Sequence, residues 1–364
     1  MSTRNMVGER TDSLRRAARS VGARAVKGSG LIAPTMQSRE DPMRSPRWLL
    51  ERAVARRREK LKLRRIGAGT DVYRMVHGAA DDFPGVVIDR YASVARIELY
   101  DEGCAPLVNQ LAAALLDVEP MLQGVVALVR GKRGRGRLWV AAGHVPSAHV
   151  VHEDGWRYLV RCAEEDAVGT GIFVDQREGR RFASRFARGR PALNLFAHAG
   201  GFGVALVAGG ASRVDHVDAA RKCATWAALN LALNGVDPRG HRFLVDDAFR
   251  VLQRAARRGP QYGVVVCDPP TTALDPRGKR FLARERLPEL ATQACLALLE
   301  GGTLLLSIND RSVPVEGVEQ AAREGAAAAG RSVLALEEVA LGPDLPPDSD
   351  QSLRPMRGVR LTVA

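Results

Sequence analysis

Three acidic positions, each closing an apolar run of strand length, carry the most chemistry in this sequence. They are Asp218, the pair Asp246-Asp247, and Asp268, which opens the triplet Asp268-Pro269-Pro270. A fourth apolar run, residues 192–196, closes instead on the small-residue turn His198-Ala199-Gly200-Gly201. Paired carboxylate oxygens at a strand end suit a cis-diol such as a ribose, and glycine at the start of a helix lets backbone approach a ligand closely. Asp247 is the choice for the amine of a purine. Asp246 is the fallback, since neighbours at a strand end point to opposite sides. The prolines after Asp268 stiffen a loop where open α/β sheets bind ligands, so its carbonyls can face an acceptor.

The elements that must position these residues follow an alternating α/β pattern. Residues 192–196 read as a buried parallel strand, 202–207 as a helix and 213–217 as a second strand. Residues 242–252 read as a third strand and its helix, 262–270 as a fourth strand and 303–307 as a fifth. The glycines at 200, 201 and 203 do not make G-x-G-x-x-G, and no G-x-x-x-x-G-K-[ST] occurs, so dinucleotide and phosphate-cradling loops are unsupported. A ribose acid, an adenine-side acid and an acceptor loop, in that order at successive strand ends, point to S-adenosylmethionine. The fold class expected is α/β: a Rossmann-like class I methyltransferase domain with a seven-stranded sheet, preceded by a small α+β domain. Residues 287–299 and 315–329 read as helices, with Gly301-Gly302 as the C-terminal turn of the first, and 358–363 as a last strand.

From about Arg74 onward the chain resembles the large-subunit ribosomal-RNA methyltransferases that modify cytosine at carbon 5. The phrases that carry the resemblance are YRMVHGAADDFPGVVIDRY at 73–91, GTGIFVDQREGRR at 169–181, LNLFAHAGGFGVAL at 193–206, DDAFRVL at 246–252 and DPP at 268–270. The resemblance implies a cofactor site built from Gln176, Arg177, Asn194, Phe196, Ala197, His198, Ala199, Gly200, Gly201, Asp218, Asp246, Asp247, Ala248 and Asp268. It implies a catalytic loop at Asp268, Pro269 and Pro270. Residues 173–177 line the methionine end of the cofactor in that family, and an arginine fork such as Arg177 matches a carboxylate bidentately. Arg180 and Arg181 are expected on a solvated helix face.

Composition separates a basic arm from a nearly neutral body. Residues 1–66 hold 18 Lys+Arg and 6 Asp+Glu, a net of +12, whereas the whole chain is +13, so the other 298 residues sum to +1. Such an arm is attracted to polyphosphate. Residues 1–44 lack sustained periodicity and read mostly as disordered, apart from a short helix near 11–25. Ser45-Pro46 starts a better helix, 46–64, whose basic amphipathic pattern fits RNA, a membrane surface or, the favoured reading, its own domain. The division expected is an arm at 1–66, a small α+β linker and RNA-contact domain at 67–160, and the methyltransferase domain at 161–364. Within the middle domain, 72–77, 85–89, 94–100, 125–129 and 138–141 read as strands, 106–116 as a helix and 150–161 as a hairpin. The loop 130–137 carries five cations and three glycines in eight residues. Five scattered cysteines without C-x-x-C argue for a reducing, cytoplasmic setting and against both a disulfide frame and a metal site. No apolar run approaches the length of a membrane span. Oligomeric state stays open, with a homodimer among the options.

Two departures from the family bear on function. Residues 1–66 contain no run of alternating strands and so cannot form the small β-barrel RNA-binding domain with which family members usually begin. Carbon-5 methylation also needs a thiolate that adds at carbon 6. The position of that cysteine holds Asn309, Thr271 follows the DPP triplet, and Cys267 is expected to face the core. An aromatic after DPP would stack an amine-bearing base, and Thr271 lacks that too. The reading is a methyltransferase acting on RNA, with ribosomal RNA as the leading substrate, by a route other than the cysteine-dependent one. The alternatives are a methyltransferase for a small molecule or protein, and an inactive RNA-binding relative.

Overall fold

In the computed structural model, residues 45–61, 69–130, 136–164, 169–274, 280–310, 312–346 and 356–364 are described. Residues 1–44, the core of the 130–137 loop and the end of the 46–64 helix expected from sequence therefore lie outside the described residues. Asp41–Ala364 forms one compact unit.

Helix α1 (Pro46–Lys60) is capped by Ser45, whose side chain accepts from the Trp48 N–H at 3.2 Å. It buries Leu49, Leu50, Ala53 and Val54 in a core shared with a five-stranded sheet: β1 (Val72–His77), β2 (Val86–Tyr91), β3 (Val94–Leu99), β4 (Gly124–Val129) and β5 (Arg137–Gly143). Strand β3 pairs parallel with β4, and the crossover contains α2 (Val108–Val118), whose Leu111 and Leu115 are fully buried. The arginines of α1 are matched to carboxylates of its own domain. Arg56 (2.6 Å) and Arg57 reach Asp81, Arg58 reaches Glu119 at 2.7 Å, and Arg52 pairs with Asp82. The helical part of the arm thus docks on its own body. Asp81, Asp82 and Asp89, in the phrase at 73–91, serve that docking and an ion pair with Arg74.

A hairpin of β6 (His149–Glu153) and β7 (Trp156–Val160) leads to α3 (Arg177–Arg185) and the main sheet. Its turn uses two positive φ angles, 53° at Asp154 and 82° at Gly155. The main sheet is built from β8 (Pro191–Leu195), β9 (Arg213–Asp218), β10 (Arg242–Val245), β11 (Tyr262–Cys267), β14 (Leu298–Ile308), β15 (Val333–Glu338) and β16 (Arg357–Val363). Its order is β10-β9-β8-β11-β14-β16-β15, with β16 antiparallel to both neighbours. The helices between strands are α4 (Gly201–Ala208), α5 (Arg221–Leu233), α6 (Ala248–Arg258), α7 (Ala283–Ala297) and α8 (Val315–Ala328). The seven-stranded Rossmann-like sheet expected from sequence is present. The order reverses between β8 and β11, the switch point at which such sheets open a crevice. Gly301-Gly302 does not close α7, which ends at Ala297; both glycines lie inside β14. At Gly203 an added Cβ would sit 1.9 Å from Cε1 of buried His216, so only glycine lets α4 lie this close to β9.

Arg180 is not solvated. It is 3% exposed and holds Glu153 bidentately, Nε to Oε1 at 2.6 Å and Nη2 to Oε2 at 2.7 Å. The β6–β7 hairpin packs under α3 and presents that carboxylate, which a helix read alone cannot anticipate. Arg181, at the rim, pairs with Asp154 and Glu178. Arg177 is also enclosed, with its Nε 3.3 Å from Glu153 Oε2, so Glu153→Gln weakens the charge balance of two buried guanidinium groups. Stability is expected to fall by about 3–5 kcal/mol, measured by denaturant unfolding.

Candidate functional site

The site is assembled at the C-terminal ends of β8, β9, β10 and β11. Beyond β8 the chain turns so sharply that Phe196 (φ 53°) and His198 (φ 48°) adopt left-handed conformations uncommon for residues other than glycine. Such angles cost on the order of 1–3 kcal/mol each and persist where the surroundings impose them. At His198 the group that holds the turn is Asp218. Its Oδ2 accepts the His198 N–H at 2.8 Å, and its Oδ1 accepts the Ala220 N–H at 2.9 Å. Gly200 follows at φ 79°, where a Cβ would meet that of Ala227 at 2.7 Å.

A cavity of about 690 Å³ opens over this turn, within the size range of small-molecule sites. Of the residues expected from sequence, Gln176, Phe196, Ala197, His198, Gly201, Asp218, Asp246, Asp247, Ala248, Asp268, Pro269 and Pro270 line it. Arg177, Asn194, Ala199 and Gly200 do not. Gly200 and Ala199 shape the turn from behind, and Asn194 is buried within β8. Arg177 is the clearest correction. Its fork meets a carboxylate, but that of Asp344, at 2.6 Å, together with the Val72 carbonyl at 2.8 Å. The segment before β16 brings Asp344 back across α3 and occupies the fork.

The acids of the cavity differ in how much of each carboxylate is taken. Asp246 accepts the Asp247 N–H at 2.8 Å and pairs with Arg254 at 2.5 Å, which draws its pKa down. Asp247 caps α6 through Oδ1, accepting the Arg250 N–H at 3.0 Å, and its second oxygen has no hydrogen-bond partner among the described residues. Asp247 is therefore the better acceptor for an amine. Asp175 adds a further carboxylate to the lining, so the cavity wall is rich in acids suited to a cationic ligand.

Asp268 sits deepest in chemical terms. Burial raises its carboxyl to about 6, against the opposing hydrogen bond from Ser307. Ser307 Oγ donates to Asp268 Oδ1 at 2.7 Å and accepts from Gln176 Nε2 at 3.3 Å, a short relay linking α3's approach to the ends of β11 and β14. Beside it, Thr271 Oγ1 donates to the Asn309 carbonyl at 2.6 Å. Cys267 lies fully buried in the core, where burial pushes its thiol far above the ordinary range. None of the five cysteines lines the cavity. Cys223, buried beside Asp218, is pushed up to about 12.

Sequence reasoning missed the aromatic wall. A small hairpin of β12 (Thr272–Leu274) and β13 (Arg280–Leu282) returns after the DPP loop and carries Phe281 into the cavity, 6.0 Å from Phe249 and 6.4 Å from Phe196 between ring centroids. The Arg286 guanidinium lies 4.1 Å over the Phe249 ring. The aromatic residue sought directly after DPP is thus supplied ten residues later, by Phe281. No periodic signal marks it. Among the described residues no group of three or more His, Cys, Asp or Glu could hold a metal ion, and no helix is long and apolar enough to cross a membrane.

Comparison with known proteins gives a consistent picture. The model of the S-adenosylmethionine-dependent methyltransferase family matches residues 122–354. The chain is similar to Ribosomal RNA large subunit methyltransferase I of Aeromonas hydrophila, 28% identical over 76% of this chain and 71% of that protein. It is similar to Ribosomal RNA large subunit methyltransferase of Deinococcus radiodurans, 30% identical over 78% of this chain and 70% of that one. Among solved structures, a protein complexed with SAH superposes with a TM-score of 0.75 at 24% identity, covering 86% of this chain and 81% of the other.

Proposed function

Because the chain belongs to the S-adenosylmethionine-dependent methyltransferases, we propose that it transfers a methyl group to RNA, large-subunit ribosomal RNA first, by a route that uses no cysteine. The RNA part is supported by the names of its relatives. The route is supported by one observation above the rest: the cavity gathers Asp218, Asp247 and Asp268 at successive strand ends and none of the five thiols. The cofactor supplies a methyl group already activated on a sulfonium, so the protein's task is positioning and proton handling.

The residues fit that cofactor. Asp218, with both oxygens fixed by backbone N–H groups, receives the ribose hydroxyls, and the open oxygen of Asp247 receives the adenine amine. Asp175 and Gln176 lie on the side where the methionine end would be held. Phe281 and Arg286 supply a face for the acceptor base. With no thiolate to add at a pyrimidine carbon 6, the acceptors that remain are a ring nitrogen, an exocyclic amine or an oxygen. Asp268 would orient the acceptor N–H or O–H and take its proton, while the bound cofactor would supply the methyl group. The stretch 1–44, with 9 Lys+Arg against 4 Asp+Glu, and the loop 130–137 remain the proposed long-range RNA contacts, in the cytoplasm.

The test uses tritiated cofactor and large-subunit ribosomal RNA, with protein and small-molecule fractions as rival acceptors. Label is expected in the RNA; label only in the rivals refutes the substrate class. RNA carrying 5-fluorocytosine is expected to leave no denaturation-resistant complex, because trapping requires a thiolate at carbon 6. Alanine at each cysteine should leave turnover within a few-fold of wild type. A trapped complex, or loss of turnover at Cys267→Ala with cofactor binding intact, restores the carbon-5 reaction.

A further inference from the structure

A second cavity, of about 340 Å³, lies at the opposite end of the strands from the first. Arg190, which bounds it, immediately precedes β8, and Thr303, level with Ala192 at the start of β8 through Val264 of β11, lies next to Thr362 at the far end of β16. Its wall is unusually rich in arginine: Arg185, Arg188, Arg190 and Arg360 all line it. Residues 67–364 sum to only +1, so four cations around one groove are a local concentration rather than a general excess.

Two of the arginines have no carboxylate partner among the described residues and the other two keep part of their donor capacity. Arg185 and Arg188 are exposed and have no carboxylate partner among the described residues. Arg190 spends one N–H on the Gly301 carbonyl at 2.7 Å. Arg360 is 6% exposed; it pairs with Glu337 at 2.6 Å and donates to Thr362 Oγ1 at 2.7 Å, while its buried Nε has no hydrogen-bond partner among the described residues. The Thr303 and Thr362 hydroxyls stand 3.4 Å apart, so the pair has an O–H to spare. Four cations and two hydroxyls against one carboxylate make a donor-rich, anion-seeking groove. Next to it Phe182 and Phe186 stack at 5.4 Å, with Arg360 lying 4.8 Å from the Phe186 ring and Arg185 lying 5.9 Å from the Phe182 ring.

We propose that this groove binds the phosphodiester backbone of the RNA substrate, at a point remote from the nucleotide being methylated. The proposal rests on RNA being the substrate. Arginine forks match phosphate oxygens bidentately, and arginine laid on aromatic rings is a pattern of single-strand binding, in which phosphates and bases are held side by side. The five residues of β8 separate the two cavities by roughly 17 Å at about 3.3 Å per residue, a span that a few nucleotides of extended strand cover. The groove would hold a neighbouring stretch of strand while the acceptor base enters the first cavity.

The experiment compares wild type with Arg185→Glu/Arg188→Glu, both exposed positions outside the catalytic cavity. Affinity for protein-stripped large-subunit ribosomal RNA is titrated between roughly 50 and 200 mM KCl. Losing two phosphate contacts is expected to make the slope of log K against log salt shallower by roughly 1.4, at about 0.7 per phosphate on a single strand. Cofactor affinity and the unfolding midpoint should not change, and Arg185→Lys/Arg188→Lys should restore the slope. An unchanged slope in the glutamate variant overturns the groove while leaving the RNA reading intact. Wild type without salt-dependent RNA binding overturns both.

Discussion

Asp268→Asn is expected to slow methyl transfer by about 10²–10⁴-fold, the usual contribution of a positioned acid–base group, with cofactor affinity within a few-fold of wild type. The carboxylate is raised to about 6 by burial in the cavity wall, and only its ionised form can take a proton from an N–H acceptor. The wild-type rate should therefore climb with pH through the region of 6 and level off above it. A bound sulfonium, being cationic, draws that midpoint lower. The asparagine variant keeps the hydrogen bond to Ser307 available but cannot accept a proton, so its residual rate should lose that rise. Stability moves the other way. The folded chain holds the Asp268 proton up to about 6, whereas the unfolded chain releases it near 4. Folding thus becomes less favourable as pH rises from about 4 to 6, and Asp268→Asn should erase that slope. Single-turnover rates across pH, paired with unfolding at the same pH values, decide the matter. An asparagine variant with the wild-type rate and profile would remove Asp268 from the chemistry.

Asp218→Ala is expected to abolish measurable cofactor binding, a loss of at least about 100-fold. Two charge-assisted hydrogen bonds to ribose hydroxyls, at about 1.5–3 kcal/mol each, already amount to that. The substitution also releases the His198 N–H from the carboxylate that holds the left-handed turn, so the cavity floor should loosen as well. Asp218→Asn retains an oxygen for one backbone N–H and should lose less. Calorimetric titration measures both. Unchanged affinity in the alanine variant would mean that the ribose is held elsewhere.

The two sites differ in how they are written into the chain. Asp218, Asp247 and Asp268 were legible because a strand end, a glycine turn and a helix start are local events, set by side-chain period and backbone allowance within a few residues. The order of those events along the chain was enough to expect an open α/β sheet of the methyltransferase class; the count of seven came with that class, and the edge strand β15 (Val333–Glu338) had no local reading of its own. The fate of the arginines was not legible in the same way. Arg177 and Arg180 look alike in a helix of nine residues, yet one is bound by Asp344, 167 residues away, and the other by Glu153 across a hairpin. Whether such a fork faces ligand, solvent or an internal carboxylate depends on which segment packs over it.

The sequence alone determined the β-α alternation, the three acids at strand ends, the absence of a thiol after the fifth core strand, and a basic arm on a neutral body. Each follows from residue type and short-range spacing. Only the tertiary structure decided that α1 docks through Asp81 and Glu119, that Phe281 joins the cavity wall from a later hairpin, and that Arg185, Arg188, Arg190 and Arg360 converge on one groove. Those outcomes join residues separated by tens to nearly two hundred positions. Their partners are chosen by how sheets, helices and hairpins stack to bury apolar surface and satisfy charge, which no local pattern encodes.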